Sequence, residues 1–544
     1  FDKDGRWDKR VFSSLKILNL NTKKIIKNTL KGFFASLDIS PNAEEVVLLK
    51  NNLDGSQSLV FYEVGLSKTK KIPKRQSFTG KDVLDGSLRV LMMLRSASIN
   101  YTENNGTFLP GFMGETELGG MDLSNSMAPG LGFVFGDQRD ILEKGLANNW
   151  FNSNDYLITQ QVAKTQRRTL NARASIEPFK RFKVSLTATR NETMNENFYY
   201  QIDSNVKKGF TEGARQNIKT LSITINTMKT SFSKKNSDGS SAAYKKMLDN
   251  RLVIAQRLAS NNPASVGTNT TTSYPDGYSK THEEVLLYSF LAAYQDKNAA
   301  DISLPNLNSP NTTKGLFKRI PIPNWRLNFN ALNTLPFIKK HFKSFTLSHS
   351  YSSILNMNGV KNDINYSANG IFDAEGDLLT NIDYTTMDVS IKESYSPLIK
   401  VDMKFKNSVL AKVEVKKSRT IGLDFGGQAV TENSTWDVVV GAGYTIKDLV
   451  IPNIKIKGKS IKSNLNLRAD ISVKNTRLTL IKIDETPQPT SGGLVTAIKI
   501  SGDYIISKKV TARIFYDQTI NTPFIQTSYP SSTSNGGLSI RFTL

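Results

Sequence analysis

Three histidines, His282, His341 and His349, are the side chains in this sequence best suited to hold a metal ion or to carry a proton near neutral pH. Their spacing argues against both roles. His341 and His349 share strand parity, yet along an extended chain they would lie about 26 Å apart at ~3.3 Å per residue. His282-Glu283-Glu284 lacks the second histidine one helical turn on that a zinc-binding His-Glu-x-x-His segment needs. Asp2-Lys3-Asp4-Gly5, with Asp8, opens like a calcium loop, but the rest of that pattern fails. The chain has no cysteine, which removes disulfides, thiolate metal sites and cysteine nucleophiles together. It also lacks a phosphate-binding Gly-Lys loop, a Gly-x-Ser-x-Gly serine and a convincing carboxylate pair. The expectation is a protein without catalytic residues, metal or cofactor, and therefore not an enzyme.

Charge points to a partner class. Lysine and arginine number 71 against 48 acidic residues, which leaves +23. That favours an anionic partner such as lipopolysaccharide, acidic cargo or nucleic acid, or simply a solvated basic surface. The lysines are spread along the chain, as in Lys68 to Lys74, Lys400 to Lys417 and Lys455 to Lys462. No helix-turn-helix, zinc-finger or RNP-like spacing accompanies them, so nucleic acid is not expected. Only 38% of the residues are hydrophobic, and no window nears the ~18 to 20 apolar residues of a spanning helix. Any membrane crossing must use strands. The opening Phe1-Asp2-Lys3-Asp4-Gly5-Arg6 has no apolar signal core, so either an export signal was removed or more chain precedes it.

The elements that would position such strands are legible as strict period-two alternation. Leu170, Ala172, Ala174 and Ile176 alternate with Asn171, Arg173 and Ser175; a turn is expected at Glu177-Pro178-Phe179-Lys180. Phe182, Val184, Leu186 and Ala188 then alternate with Lys183, Ser185 and Thr187. The same pattern returns at Val409 to Val415, Trp436 to Tyr444, Leu465 to Val473, Ile498 to Ile506 and Val510 to Tyr516. No charge interrupts these apolar faces, and the clean runs reach the ~9 to 11 residues that a tilted strand needs to cross a bilayer. Trp436, Tyr444, Tyr504 and Tyr516 are expected near strand ends, where an aromatic girdle would lie. About 16 strands are expected on these rules.

Helical spacing interrupts the rhythm at Asp137 to Trp150, at Ser241 to Ala259 (a stripe of Met247, Leu248, Leu252, Ala255 and Leu258) and at Glu283 to Tyr294. The fold class that follows is all-β: an antiparallel transmembrane β-barrel with long, partly helical loop insertions. Residues 1–86 supply leading strands and loops. Residues 87–232 supply barrel strands with an insertion near 104–160, and 233–320 form a partly helical cap. Residues 321–544 supply the C-terminal strands, closing on Gly537 to Leu544. There Leu538, Ile540, Phe542 and Leu544 make the alternating end that barrel assembly machinery reads.

Several phrases, taken in order, resemble the SprA/Sov family of outer-membrane translocons of the type IX secretion system. They are NGTFLPGF from Asn105, APGLGFVFGDQ from Ala128, TLNARASIEPFKRFKVSLTATR from Thr169, VLLYSFLAAY from Val285, PIPNWRL from Pro321, YSPLIKVDM from Tyr395, KSRT from Lys417, NTPFIQTSYP from Asn521 and the closing GLSIRFTL. The resemblance implies the C-terminal portion of a very large barrel that passes folded proteins bearing C-terminal sorting domains. Its implied partners are that cargo, a PorV-type shuttle barrel, a periplasmic plug protein, outer-membrane lipid and lipopolysaccharide, and the remaining part of the same barrel. Asn171, Arg173, Lys183, Arg468, Asp470, Lys499, Asp503, Arg513 and Arg541 would then line or border a water-filled lumen. Two other classes stay open on the residues alone: a TonB-dependent nutrient receptor barrel and a β-sandwich surface adhesin.

Overall fold

The computed structural model describes five strands before residue 93. From 93 to 542 it describes all residues but 153–159, 204, 234–239, 270–271, 305–319, 365–383, 457–458, 508 and 526–527. The chain divides into two units at Leu91/Met92. In the first, β1 (Ser13–Asn19), β2 (Lys24–Ile39), β3 (Glu45–Asn51), β4 (Gln57–Glu63) and β5 (Thr69–Lys71) form an antiparallel meander in chain order.

The second unit is built on one 14-stranded sheet. It opens with β6 (Leu94–Phe108), β7 (Val162–Phe179) and β8 (Phe182–Phe198). A two-stranded ribbon follows, β9 (Tyr200–Ile202) with β10 (Phe210–Glu212). Next come β11 (Gln216–Thr224), β12 (Asn324–Phe329), β13 (Phe342–Asn362), β14 (Tyr384–Thr385), β15 (Asp388–Phe405) and β16 (Val409–Asp424). The last are β17 (Ala429–Ile456), β18 (Lys459–Lys482), β19 (Gln488–Ser507), β20 (Val510–Pro523) and β21 (Ser531–Phe542). The alternation therefore yields the all-β, antiparallel fold expected from it. Among the described residues β6 and β21 each have one neighbour, so the sheet has two open ends.

Most strands run well past the alternating stretches that announced them. The turn expected at Glu177 to Lys180 moves accordingly. Strand β7 continues through Pro178 to Phe179, and the chain reverses at Lys180-Arg181, with Arg181 at φ 72°. Pro178 falls in a register irregularity between Ile176 and Phe179, where its missing N–H breaks no ladder bond. The β7–β8, β15–β16, β17–β18 and β19–β20 turns are all short and lie at one end of the sheet. The β6–β7 and β13–β15 connections, both at the other end, are long, and a still longer one leaves from mid-sheet between β11 and β12.

The β6–β7 connection carries two short helices, α1 (Leu131–Val134) and α2 (Leu142–Ala147), so the helix expected over Asp137 to Trp150 shrinks to six residues. Leu142 packs there with Phe151, Phe198, Tyr200 and Phe210. Arg215 ties this connection down through Asp140 (2.5 Å), Glu212 (2.7 Å) and Glu196 (2.9 Å).

The largest departure from a simple meander lies between β11 and β12. Both pair with β8 on one side and β13 on the other, β11 toward the long-loop end and β12 toward the short-turn end. One strand position is thus filled by two half-strands, and the chain leaves the sheet between them. Side chains mend the break: Thr189 N–H donates to Thr224 Oγ1 (3.2 Å) and Ser353 N–H donates to Asn324 Oδ1 (2.9 Å).

The excursion carries α3 (Met228–Ser231), α4 (Ala242–Ser260) and α5 (Glu283–Tyr294). Ser241 caps α4 by accepting from Tyr244 N–H. The buried side of α4 holds Met247, Ala255 and Leu258 as expected, with Tyr244, Ile254 and Arg251 added. Arg251 is tolerated because its guanidinium reaches Asp484 at 2.6 Å while its stem lines the core. Helix α5 is buried from Glu284 to Tyr294, which fits its lack of a polar face. These helices pack on Leu221, Ile223, Leu355, Met357, Ile391 and Ile421 of the sheet.

His282 caps α5, its Nδ1 accepting from Glu284 N–H at 3.3 Å, and burial lowers its pKa to about 4. The folded form holds the ring neutral, so an unfolded insertion binds one more proton between pH ~6.5 and ~4. Stability is full above pH ~6.5 and falls as pH drops toward 4, by about 3 kcal/mol at most. Protease cleavage of the insertion should therefore accelerate between pH 6.5 and 4 in the native protein. His282→Asn, which keeps a cap acceptor without a titrating ring, should flatten that dependence.

Candidate functional site

Cross-strand partners in a β-sheet share a face, so the registers decide what each face carries. One path runs Lys183↔Asn328↔Ser348↔Lys400↔Glu414. Two residues along, Asp402↔Lys412↔Gly441↔Asp470↔Lys499↔Asp517↔Asn535 crosses seven strands with charges that alternate in sign. Arg468 is two residues from Asp470 on this face. Asp503 pairs with Arg513, whose carboxylate–guanidinium separation is 3.7 Å, and Arg541 faces Thr511. Arg173 faces Thr187, and Asn171 faces Thr189. All nine polar residues singled out in the sequence therefore lie on one continuous face. Gly441 leaves room for its neighbour there: a Cβ would stand 2.0 Å from Asp470 Oδ1 and would push that carboxylate aside.

The opposite face is apolar and exposed. Val413↔Val440↔Ile471↔Ile498 forms one row. Val409↔Tyr444↔Leu467↔Gly502↔Ile514↔Leu538 forms another, across six strands. Val440 is 52% exposed, Ile471 50% and Ile514 64%, values that would be near zero if a core covered this face. Leu538, Ile540 and Phe542 of β21 continue it, exposed at 71%, 54% and 70%; Leu544 lies outside the described residues.

Two rows of rings bound the apolar face. Toward the long-loop end, Trp325, Tyr351, Tyr395, Phe232 and Trp436 follow one another at centroid spacings of 4.5, 5.1, 5.3 and 6.4 Å. Toward the short turns, Phe179, Phe182 and Phe329 cluster, as do Phe345, Phe342 and Phe405. Trp436 and Tyr444 were expected at strand ends; both lie inside the 28-residue β17, because the strand outruns the band its rings delimit. The eight residue steps from one to the other span ~26 Å of strand, or about 20 Å of height at a ~40° tilt.

Beyond the first ring row the same face turns charged, and sequence reading had missed this ledge. Lys417, Arg419, Glu393 and Glu432 are all buried under the helical insertion. Arg419 donates to Glu393 Oε2 from both Nε (2.9 Å) and Nη2 (2.8 Å), and reaches Thr230 Oγ1 at 3.2 Å. Lys417 donates to the Ser231 carbonyl and stands 3.7 Å from the Phe232 ring centre and 5.0 Å from that of Trp436. The signal was present: Lys417 and Arg419 continue the parity of Val413 and Val415, so the apolar run stops there.

The histidines serve the fold. His349 Nδ1–H donates to the Leu398 carbonyl at 2.6 Å, and His341 ends a short helix rather than sharing a strand with it. Among the described residues no three histidine or acidic side chains converge closely enough to hold a metal ion. The Asp2 to Asp8 segment lies outside those residues. No described helix is long and apolar enough to cross a membrane, which says nothing of strands. A scan against protein-family models finds no match, and no curated protein matches the chain.

Arg419→Met would leave the Glu393 carboxylate buried and unpaired, a change that costs about 3–5 kcal/mol. Lys280→Ala removes only an exposed partner of Asp484, a loss of less than ~1 kcal/mol. Limited proteolysis within the insertion should accelerate strongly for the first variant and hardly for the second.

Proposed function

We propose that this chain is part of the wall of a bacterial outer-membrane β-barrel and that the barrel is a protein-conducting channel. The observation that carries the membrane placement is the exposed apolar band, free of aspartate, glutamate, lysine and arginine and edged by two rows of rings. Exposed apolar patches beyond a few hundred Å² mark interaction surfaces, and a bilayer covers such a band from end to end. Its ~20 Å height is near the ~25 Å of outer-membrane barrels. Barrels of that class keep short turns on the periplasmic side and long loops outside. The helical insertion then sits on the outer wall just above the lipid, on the cell-surface side.

Protein conduction rests on the resemblance to SprA/Sov translocons. Two features agree with it. The two open sheet ends call for further strands, so the complete barrel is larger than this sheet. The polar face mixes both signs, with pairs such as Lys400–Asp402 and Lys416–Asp437; a hydrated wall of that kind offers passing cargo no apolar patch to stick to. Cargo with C-terminal sorting domains would travel along this face toward a PorV-type shuttle.

Purification of the full-length protein in detergent, with mass spectrometry of what accompanies it, tests the reading. Recovery of a shuttle-type barrel and of secreted proteins sharing one C-terminal domain is expected. An energy-coupling lipoprotein in their place would indicate a nutrient receptor, and release without detergent would indicate an adhesin.

The face assignment has its own test. Ile471→Arg puts a guanidinium at mid-band, a cost of about 2–4 kcal/mol in lipid. Asp470→Arg, one residue away on the polar face, sets a like charge opposite Lys499 in a hydrated setting, a cost of about 1 kcal/mol at most. The fraction of membrane-extracted protein that stays compact in unheated SDS should fall sharply only for Ile471→Arg. Equal losses would reverse the argument.

A further inference from the structure

The connection between β12 and β13 holds a cavity of about 490 Å³ at the short-turn end of the sheet. Its upper wall is the last part of α6 (Pro336–His341), a helix opened by Pro336 in its first turn. Phe337 stands 69% exposed with its ring 5.0 Å from that of His341. Below it, Phe342 packs on Phe405 at 4.5 Å. Lys406 N–H donates to the His341 carbonyl (3.2 Å), which joins the β15–β16 turn to the end of the helix. The result is a pocket with phenylalanine walls and a mouth formed by Lys340, His341 and Lys406.

Charge at this mouth is one-sided. Lys339, Lys340, Lys343 and Lys406 are exposed, and none has an ion-pair partner among the described residues. Lys339 and Lys340 fall in the last turn of α6, where cations favour the helix end. That accounts for neither Lys406, on another element, nor the exposed Phe337. The walls belong to the ring row at the short-turn edge of the apolar band. Apolar walls that open onto unpaired cations at this level match one ligand chemistry, an acyl chain joined to a phosphate.

We infer that this cavity binds an anionic glycerophospholipid of the leaflet on the short-turn side, an inference that rests on the membrane placement proposed above. Lys340 and Lys406 hold the phosphate, and an acyl chain lies along Phe337 and Phe342. A lysine facing an anionic headgroup contributes about fivefold in affinity, so the pair contributes roughly 25-fold.

Phosphatidylglycerol with a photoreactive acyl chain, crosslinked to the full-length protein in detergent micelles, provides the test. Peptide mass spectrometry should place adducts on residues 336–342 or 405–407. Unlabelled phosphatidylglycerol should displace them, whereas phosphatidylcholine and inorganic phosphate should not. Lys340→Gln with Lys406→Gln should weaken labelling roughly 25-fold, and Lys509→Gln, elsewhere at the short-turn end, should leave it unchanged. Equal displacement by phosphatidylcholine would reduce the cavity to an apolar cleft, and equal displacement by phosphate to a simple anion site. Adducts spread evenly along the short-turn end, or undiminished in the double variant, would overturn the proposal as well. If the protein still requires detergent, such results sink this site alone; if it leaves the membrane without detergent, the membrane placement itself falls.

Discussion

Register is the constraint on which the rest of this molecule depends. A strand shows its side chains to alternate faces, so a slip of one residue between two neighbours would exchange every lysine and aspartate with every valine and isoleucine beyond it. Between the two ring rows the sheet keeps one polar and one apolar face from β7 to β21. Even the irregularity beside Pro397 preserves this. There β15 spends two residues more than β16 between successive pairings, Tyr395↔Lys417 and Ile399↔Val415. An even offset bends the strand and leaves the parity intact. Each hairpin turn fixes the register of one pair, and twelve strands in sequence carry it across the sheet.

A uniform face does not imply a uniform environment. Along β16 the residues of a single parity run from Val409 through Val415 to Lys417 and Arg419, then to Ile421 and Leu423. The first group is exposed or half-buried and the last two are fully buried. The helical insertion makes that difference. It leaves the sheet through the split between β11 and β12, at the level of Trp325, and lies over the part of the face beyond the ring row. The buried Glu393–Arg419 pair joins two neighbouring strands beneath it, and the insertion is seated there by Arg419 donating to Thr230 Oγ1 and Lys417 donating to the Ser231 carbonyl. Such a pair is weak as a source of stability, because desolvation offsets most of its attraction. A shifted insertion would leave that pair intact but would take Thr230 from Arg419 and the Ser231 carbonyl from Lys417, and the loss of these two contacts is what penalises misplacement.

How much of this was legible in the sequence depended on how far each signal reached. Alternation at Leu465 to Val473 and Ile498 to Ile506 marked the strands and the side on which Arg468, Asp470, Lys499 and Asp503 lie, because period two is a local property. The helix at Glu283 to Tyr294 was legible to the residue, since eleven of its twelve side chains are buried and it starts at a capping histidine. Strand ends were not legible. Past Trp436 and Lys417 the pattern of β16 and β17 mixes charge into the apolar parity, and only the insertion packed on it explains why the strands continue. The split strand was also hidden. Gln216 to Thr224 and Asn324 to Phe329 are each short strand-like runs, and nothing local says that they share one place in the sheet. Pairing across a hundred residues is decided by neighbours that are distant in sequence.

Open edges set the final limit on what this sheet can be. Strands β6 and β21 each carry a line of backbone N–H and C=O groups that no described neighbour satisfies. In water such an edge invites association but persists, because solvent fills the hydrogen bonds. In hydrocarbon each unmet group costs several kcal/mol, so an edge strand with the exposed apolar side chains Leu538, Ile540 and Phe542 cannot stay unpaired there. The two properties of β21 therefore pull in one direction. Its side chains favour lipid, and its backbone tolerates lipid only beside another strand. A sheet with this apolar face and these two ends is coherent as a wall within a larger closed barrel, and it is incoherent as a free-standing membrane sheet.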